Sequence, residues 1–136
     1  MDLDALRARA RAARRGIGVR RDELDRRRYE LLVDSGLLDG ATDIAAYVAA
    51  DGEADPLPWH HVAAGRTVYF PVVPPAGETI SFFAAAGPSE MRPGRWGILE
   101  PSRDTPIPVE ALDVVLVPLV VFDRQCHRAG RGRGDD

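Results

Sequence analysis

From Leu3 to about Leu38 the chain reads as helix, because alanine, leucine and arginine dominate and turn residues are scarce. The interruption at Gly16-Ile17-Gly18 predicts a break between two helices. The second begins near Val19, places Asp22, Glu23 and Asp25 near its positive end, and carries Leu24, Tyr29, Leu31 and Leu32. Ser35-Gly36 and Asp39-Gly40 end it. Beyond them the pattern changes to short apolar runs bounded by turns. Asp43 to Ala49 (DIAAYVA) predicts a buried strand with its exit turn at Asp51-Gly52. Pro56 to Ala64 suits a short helix. Arg66 to Val73 (RTVYFPVV) and Thr79 to Ala85 (TISFFAA) predict two further strands. Gly87-Pro88, Pro93-Gly94 and Pro101 mark an extended loop region. Leu112 to Val121 (LDVVLVPLVV) is the most continuous hydrophobic run and predicts a central strand covered on both faces.

Strands interleaved with helical pieces point to an α/β sheet that is at least partly parallel. In such sheets the ligand site lies beyond the carboxyl ends of the strands. That rule selects Asp51-Gly52-Glu53, the loop around Trp96, and the glycines that close the chain.

Composition narrows the function classes. With 136 residues, 45% hydrophobic and 29% charged, the chain fits one ordinary soluble domain. No apolar run approaches the ~20 residues of a membrane span, and no signal-peptide core opens the chain, so a cytoplasmic protein is expected. All 18 basic residues are arginine, which reflects genome composition more than function. Ten fall between Arg7 and Arg28, and a solvated helix face accounts for most of them. A net charge of −3 argues against a general nucleic-acid binder.

Gly130-Arg131-Gly132-Arg133-Gly134 has a clear physical use after a buried strand: glycines let backbone N–H groups approach an anion, and guanidinium forks grip phosphate oxygens. It is neither a Walker A loop nor a dinucleotide fingerprint. Taken alone it is equally an arginine–glycine tail that touches RNA. His60-His61 and His127 lack ligand spacing, and Cys126 beside His127 is no nucleophile pair, so these read as structural or surface groups.

Together, Leu6-Arg7 with the further arginines of the first helix, IAAYVAADGEADPLP (Ile44 to Pro58), GRTVYFPVV (Gly65 to Val73), GRWGILEP (Gly94 to Pro101) and LDVVLVPLVVFDRQCHRAGRGRG (Leu112 to Gly134) resemble the 5-formyltetrahydrofolate cyclo-ligase family, in its order and at about its spacing. The resemblance implies a three-layer, Rossmann-like, mostly parallel sheet flanked by helices. It also implies a monomeric enzyme that uses ATP and Mg²⁺ to convert 5-formyltetrahydrofolate to 5,10-methenyltetrahydrofolate, releasing ADP and phosphate. The formyl oxygen attacks the γ-phosphoryl group, N10 closes the ring, and phosphate leaves. Such chemistry needs positioning and charge neutralisation more than acids and bases.

Carried over by residue, Arg7, Arg128, Gly130, Arg131, Gly132, Arg133 and Gly134 match the family's ATP contacts, with Arg131 and Arg133 stabilising the transferred phosphoryl group. Val48, Glu53 and Trp96 match the folate pocket. A carboxylate at a strand's end can accept paired hydrogen bonds from an amino-pyrimidine edge, although Asp-Gly-Glu is also ordinary turn composition. Trp96 offers a flat ring for a flat ligand or, equally, a loop anchor. Two departures stand out. Leu3 occupies the place of the family's first-helix lysine, and Asp135-Asp136 replace the aromatic pair that follows the glycine loop. The family's metal-binding aspartate corresponds to Asp136 only after a one-residue slip. The resemblance therefore predicts a chain shortened at its carboxyl end, for which a non-catalytic nucleotide-binding remnant of the same fold is the alternative expectation to an active ligase.

Overall fold

The computed structural model describes residues 2–50, 52–56, 65–94 and 97–130. Helix α1 spans Leu3–Arg15, with Asp2 as its amino-terminal cap and Arg14 and Arg15 in its last turn, where their charge suits the helix dipole. Gly18, at φ +61°, permits the turn that a short 3₁₀ segment, Gly18–Arg20, carries into helix α2, Arg21–Asp34. This matches the predicted break. The inward face of α2 differs from expectation, since Tyr29 and the carboxylate of Asp25 are buried whereas Leu31 is largely exposed.

Strands β1 (Asp43–Ala45), β2 (Thr67–Val72), β3 (Ser81–Ala84) and β6 (Val114–Val115) form one sheet in the order β3-β2-β1-β6. β1 runs parallel to both β2 and β6, and β3 is antiparallel to β2. The mixed α/β fold with a mostly parallel sheet is as predicted. β2 shows the expected alternation: Val68, Phe70 and Val72 are buried, and Val68 and Phe70 pack with Ile44, Ala46, Leu38 and Tyr29. Fully burying a side chain such as Ile44 contributes ~1.5–3 kcal/mol.

Two strands are shorter than their hydrophobic runs, and proline explains both. Thr67 N–H donates to Thr42 O and Ala46 N–H to Tyr69 O; two residues further along β2 the next donor would be Pro71, which has none. The run 43–49 therefore leaves the sheet after Ala46. On the other flank Leu116 N–H donates to Ala45 O at 2.8 Å, and two residues on stands Pro118. The run 112–121 thus divides into β6 and a separate strand, β7 (Val121–Phe122), which forms an antiparallel hairpin with β8 (Arg128–Ala129). Contrary to expectation it is not a central strand covered on both faces. β6 pairs only with β1 among the described residues, and Val115 and Val117 are exposed.

The region taken as an extended loop holds a hairpin of β4 (Met91–Pro93) and β5 (Leu99–Pro101). Buried Glu100 accepts the Val73 N–H at 3.0 Å and so fastens this hairpin to the end of β2. Gly94 leaves room for it, because a Cβ there would stand 2.2 Å from the Glu100 carboxyl. The predicted helix over Pro56 to Ala64 lies, after Pro56, outside the described residues.

At the opposite end of β1, Asp113 clips the strand starts together: its Oδ2 accepts Thr42 N–H at 2.9 Å and Asp43 N–H at 3.0 Å. These backbone donors, Asp43 first, hold its carboxyl below the usual aspartate range. A depressed folded-state value gives stability that is complete above the unfolded-state value of about 3.9 and lost as pH falls through the folded one. Asp113→Asn should therefore lower the melting temperature at neutral pH and flatten the further decline below about pH 4. Parallel melting curves for the two proteins across pH 2–7 would contradict this.

Candidate functional site

The site begins where β1 leaves its ladders. Gly52 adopts φ +77°, a backbone region open to glycine, and turns the chain so that Glu53 points inward and is buried. The turn is self-bonded: Glu53 N–H donates to Ala50 O at 3.0 Å, and Ala50 N–H to Glu53 Oε1 at 2.9 Å. Tyr47 donates its hydroxyl to Ala54 O at 2.8 Å. Burial, helped by the negative charges of Glu53, Asp55 and Asp25, pushes the Tyr47 hydroxyl up to about 12, so it remains a protonated donor at neutral pH.

Helix α2 supplies the facing wall. Buried Asp25 accepts an N–H from the Arg28 guanidinium and the Asp55 backbone N–H, the latter at 3.2 Å, which ties α2 to the Glu53 segment. Arg21 Nη2 donates to Arg14 O at 2.9 Å across the break between the helices. A cavity of about 610 Å³ opens between these groups, with Arg14, Arg21, Asp25, Arg28, Tyr47 and Glu53 around it. Its apolar side comes from Val117, Leu119, Val120 and Phe122, the stretch released by Pro118. Val48 lines a neighbouring cavity of about 200 Å³ with Ala46, Ala49 and Phe70, and Tyr47 borders both.

The β7–β8 hairpin carries the chain to Gly130. Asp123 closes its turn by accepting Gln125 N–H and His127 N–H, and by bonding His127 Nδ1 at 2.9 Å. These bonds, the His127 ring first, hold the Asp123 carboxyl below its ordinary value. His127 and Cys126 are exposed and belong to this turn. Buried Gly130 is held from α1: Arg7 Nε–H donates to Gly130 O at 2.8 Å while its Nη1 meets Asp4 Oδ1 at 3.0 Å. Two residues 123 positions apart, both read from the sequence as nucleotide contacts, are thus in direct contact.

This arrangement has relatives. Residues 2–135 match the 5-formyltetrahydrofolate cyclo-ligase family. The chain belongs to that family. Over 102 residues it is 36% identical to the 5-formyltetrahydrofolate cyclo-ligase of Escherichia coli strain K12, covering 69% of this chain and 54% of that protein. The corresponding Haemophilus influenzae protein is 32% identical over 102 residues, 69% of this chain and 53% of its own length. The chain therefore spans about half the length of these curated relatives. An NMR structure of Aquifex aeolicus 5,10-methenyltetrahydrofolate synthetase superposes with a TM-score of 0.82 at 26% identity, over 96% of this chain and 68% of that one. A Mycoplasma pneumoniae 5,10-methenyltetrahydrofolate synthetase, at 21% identity and a TM-score of 0.74 over 98% of this chain and 74% of that one, shares the fold.

Of the residues the cyclo-ligase resemblance selects, Glu53 borders the larger cavity, Val48 the smaller, and Arg7 meets Gly130. Arg128 lies exposed on β8 opposite Phe122. Trp96, Arg131, Gly132, Arg133, Gly134 and Asp136 lie outside the described residues. Sequence reasoning missed Arg14, Arg21 and Arg28 by counting them into a solvated face. Arg21 and Arg28, seven residues apart, fall on one side of α2, but that spacing does not say that the side faces a cavity, and Arg14 lies across the helix break.

Replacing Arg7 by alanine removes a charged donor from Gly130 O, an interaction worth about 1.5–3 kcal/mol. Hydrogen exchange in a peptide containing Ala129 and Gly130 should accelerate by about tenfold or more. Unchanged protection in Arg7→Ala would show that the helix does not hold this segment.

Proposed function

We propose that this chain carries out the ATP-dependent closure of 5-formyltetrahydrofolate to 5,10-methenyltetrahydrofolate, with ADP and phosphate released. The observation that supports it most is the cavity between buried Glu53 and β7, whose hairpin partner β8 leads directly to the Arg7-bound Gly130, in a chain of the cyclo-ligase family. An acid fixed in a water-poor wall suits the amino-pyrimidine edge of a pterin, and a glycine–arginine loop suits a triphosphate.

In this proposal Glu53 accepts two N–H bonds from the pterin, while Val48 and Trp96 wall the ring. Tyr47, held neutral, keeps the Glu53 turn in shape through Ala54. Arg7 acts mainly by placing Gly130, since its Nε and Nη1 are already engaged, and presents its remaining edge to phosphate. Arg128, Gly130, Arg131, Gly132, Arg133 and Gly134 surround the phosphates, with Arg131 and Arg133 balancing the charge on the transferred group. The protein's contribution is to bring the formyl oxygen into line with the γ-phosphorus and to exclude water, which would otherwise compete for the phosphoryl group.

Mg²⁺ enters as the companion of the triphosphate. Among the described residues no group of three histidines, cysteines or carboxylates is gathered to hold a metal, and Asp136 lies outside them. The proposal includes a single-domain, monomeric, cytoplasmic protein. No helix among the described residues is long and apolar enough to cross a membrane.

Mixing the protein with ATP, Mg²⁺ and 5-formyltetrahydrofolate should produce the near-ultraviolet absorbance of the methenyl product. Glu53→Gln should raise the KM for the folate by about 10–100-fold, the loss of a charged hydrogen-bond acceptor, with a smaller effect on the KM for ATP. A flat absorbance trace, together with no calorimetric heat for either ligand, contradicts the proposal.

A further inference from the structure

Two independent features place the guanidinium of Arg21 beside the cavity. Nη2 donates to Arg14 O at 2.9 Å, at the carboxyl-terminal turn of α1, and this fixes the plane of the group. The edge formed by its two terminal nitrogens lies against Gly52: a Cβ on that glycine would stand 3.1 Å from Nη1 and 3.2 Å from Nη2. Glycine at 52 therefore serves a close approach as well as the positive φ, since any side chain there would push the guanidinium away. Among the described residues Arg14 O is the only acceptor that Arg21 bonds, so Nη1 keeps its protons for the cavity that Arg21 helps to line. The next residue after Gly52 is the buried acid Glu53 on the same cavity.

We propose that Arg21 is a specificity-determining residue: with Glu53 it reads a donor–donor–acceptor edge, the carboxylate taking two ring-side N–H groups and the guanidinium donating to the neighbouring ring carbonyl. The inference rests on the folate reading of the cavity. A 2-amino-4-oxo pyrimidine presents that order, with an exocyclic amine and a ring N–H followed by a carbonyl oxygen. A carboxylate alone would repel the oxygen, and a donor held beside it removes that conflict. The 2,4-diamino counterpart presents an amine where the carbonyl stood and a bare ring nitrogen where the N–H stood, so the guanidinium meets another donor and Glu53 loses one of its two. Because Nη2 is already tethered, the guanidinium does not have to be ordered when ligand arrives.

The test is calorimetric binding of folic acid and its 4-amino counterpart, identical elsewhere, to the full chain, with 5-formyltetrahydrofolate as a third ligand. The native protein should favour the 4-oxo ring over the 4-amino ring by about 10–100-fold for each of the two charged hydrogen bonds that the 4-amino ring cannot make, one to Glu53 and one to Arg21. In Arg21→Met, which keeps the length of the side chain without its donors, that ratio should fall by about 10–100-fold, the guanidinium's share, leaving the preference Glu53 exerts through the ring N–H. A purely structural Arg21 would weaken both ligands together and leave the ratio intact, and that result overturns the proposal. Arg21→Lys, which retains one donor but not the planar fork, should lose at least part of the preference and serves if the methionine variant does not fold. An unchanged ratio in a folded lysine variant overturns the proposal when it is the variant that can be measured. If the native protein binds none of the three ligands, the folate reading fails and this inference with it. Binding with a ratio indifferent to residue 21 sinks the inference alone.

Discussion

Two backbone N–H groups that do not exist shape this molecule. Pro71 on β2 and Pro118 after β6 stand where the parallel ladders flanking β1 would each need their next donor. With neither available, β1 loses both neighbours at nearly the same level, just beyond Ala46. The chain then turns through Gly52 to bury Glu53, and the other run passes over to the β7–β8 hairpin. A cavity at the carboxyl end of a parallel strand follows from that release, as a gap between segments that can no longer bond to each other.

The released segments are held by charge and hydrogen bonding more than by apolar packing. Asp25, Glu53 and Glu100 are the buried acids among the described residues, and each carboxylate meets a backbone N–H: from Asp55, Ala50 and Val73 respectively. A buried carboxylate without such donors would cost several kcal/mol, so these pairings specify which loop sits where. The three acids divide by location. Glu100 fastens one hairpin to β2 away from the cavity, whereas Asp25 and Glu53 border it and give it negative charge facing the arginines of α1 and α2. Arg7 performs the equivalent fastening for Gly130 from the opposite sign of charge. The helices thus act as a frame for the loops at the sheet's end, a role that their modest apolar content fits.

Much of this was readable from the residues. The helix break at Gly16 to Gly18, the alternation in β2 and the turn at Gly52 follow from local rules, because the glycines and β-branched positions act on their immediate neighbours. The strand ends were less legible. Counting apolar residues extended β1 to Ala49 and merged β6 with β7, because periodicity registers burial and takes no account of which N–H groups a parallel ladder consumes. Pro71 and Pro118 were visible as letters, but their meaning depends on the register between strands, which no local window contains. The same limit hid the hairpin of β4 and β5, whose anchor is a bond between Glu100 and Val73, 27 positions apart. For the candidate site, Glu53, Arg7 and Gly130 were selected by the family pattern. Arg21 was not, since its use comes from a close approach to Gly52 that only the folded chain creates.

In the proposed function the Glu53 turn and the segment leading to Gly130 form one ligand site at the open end of β1. Backbone amide shifts in a nuclear magnetic resonance titration with 5-formyltetrahydrofolate and a non-hydrolysable ATP analogue test it most directly. The folate should move Tyr47, Gly52, Glu53 and Val120, and the nucleotide Arg7 and Gly130, with each ligand altering the response to the other. Shifts concentrated instead on β3 to β5, around Phe83 and Met91, with Glu53 and Gly130 silent, would contradict it.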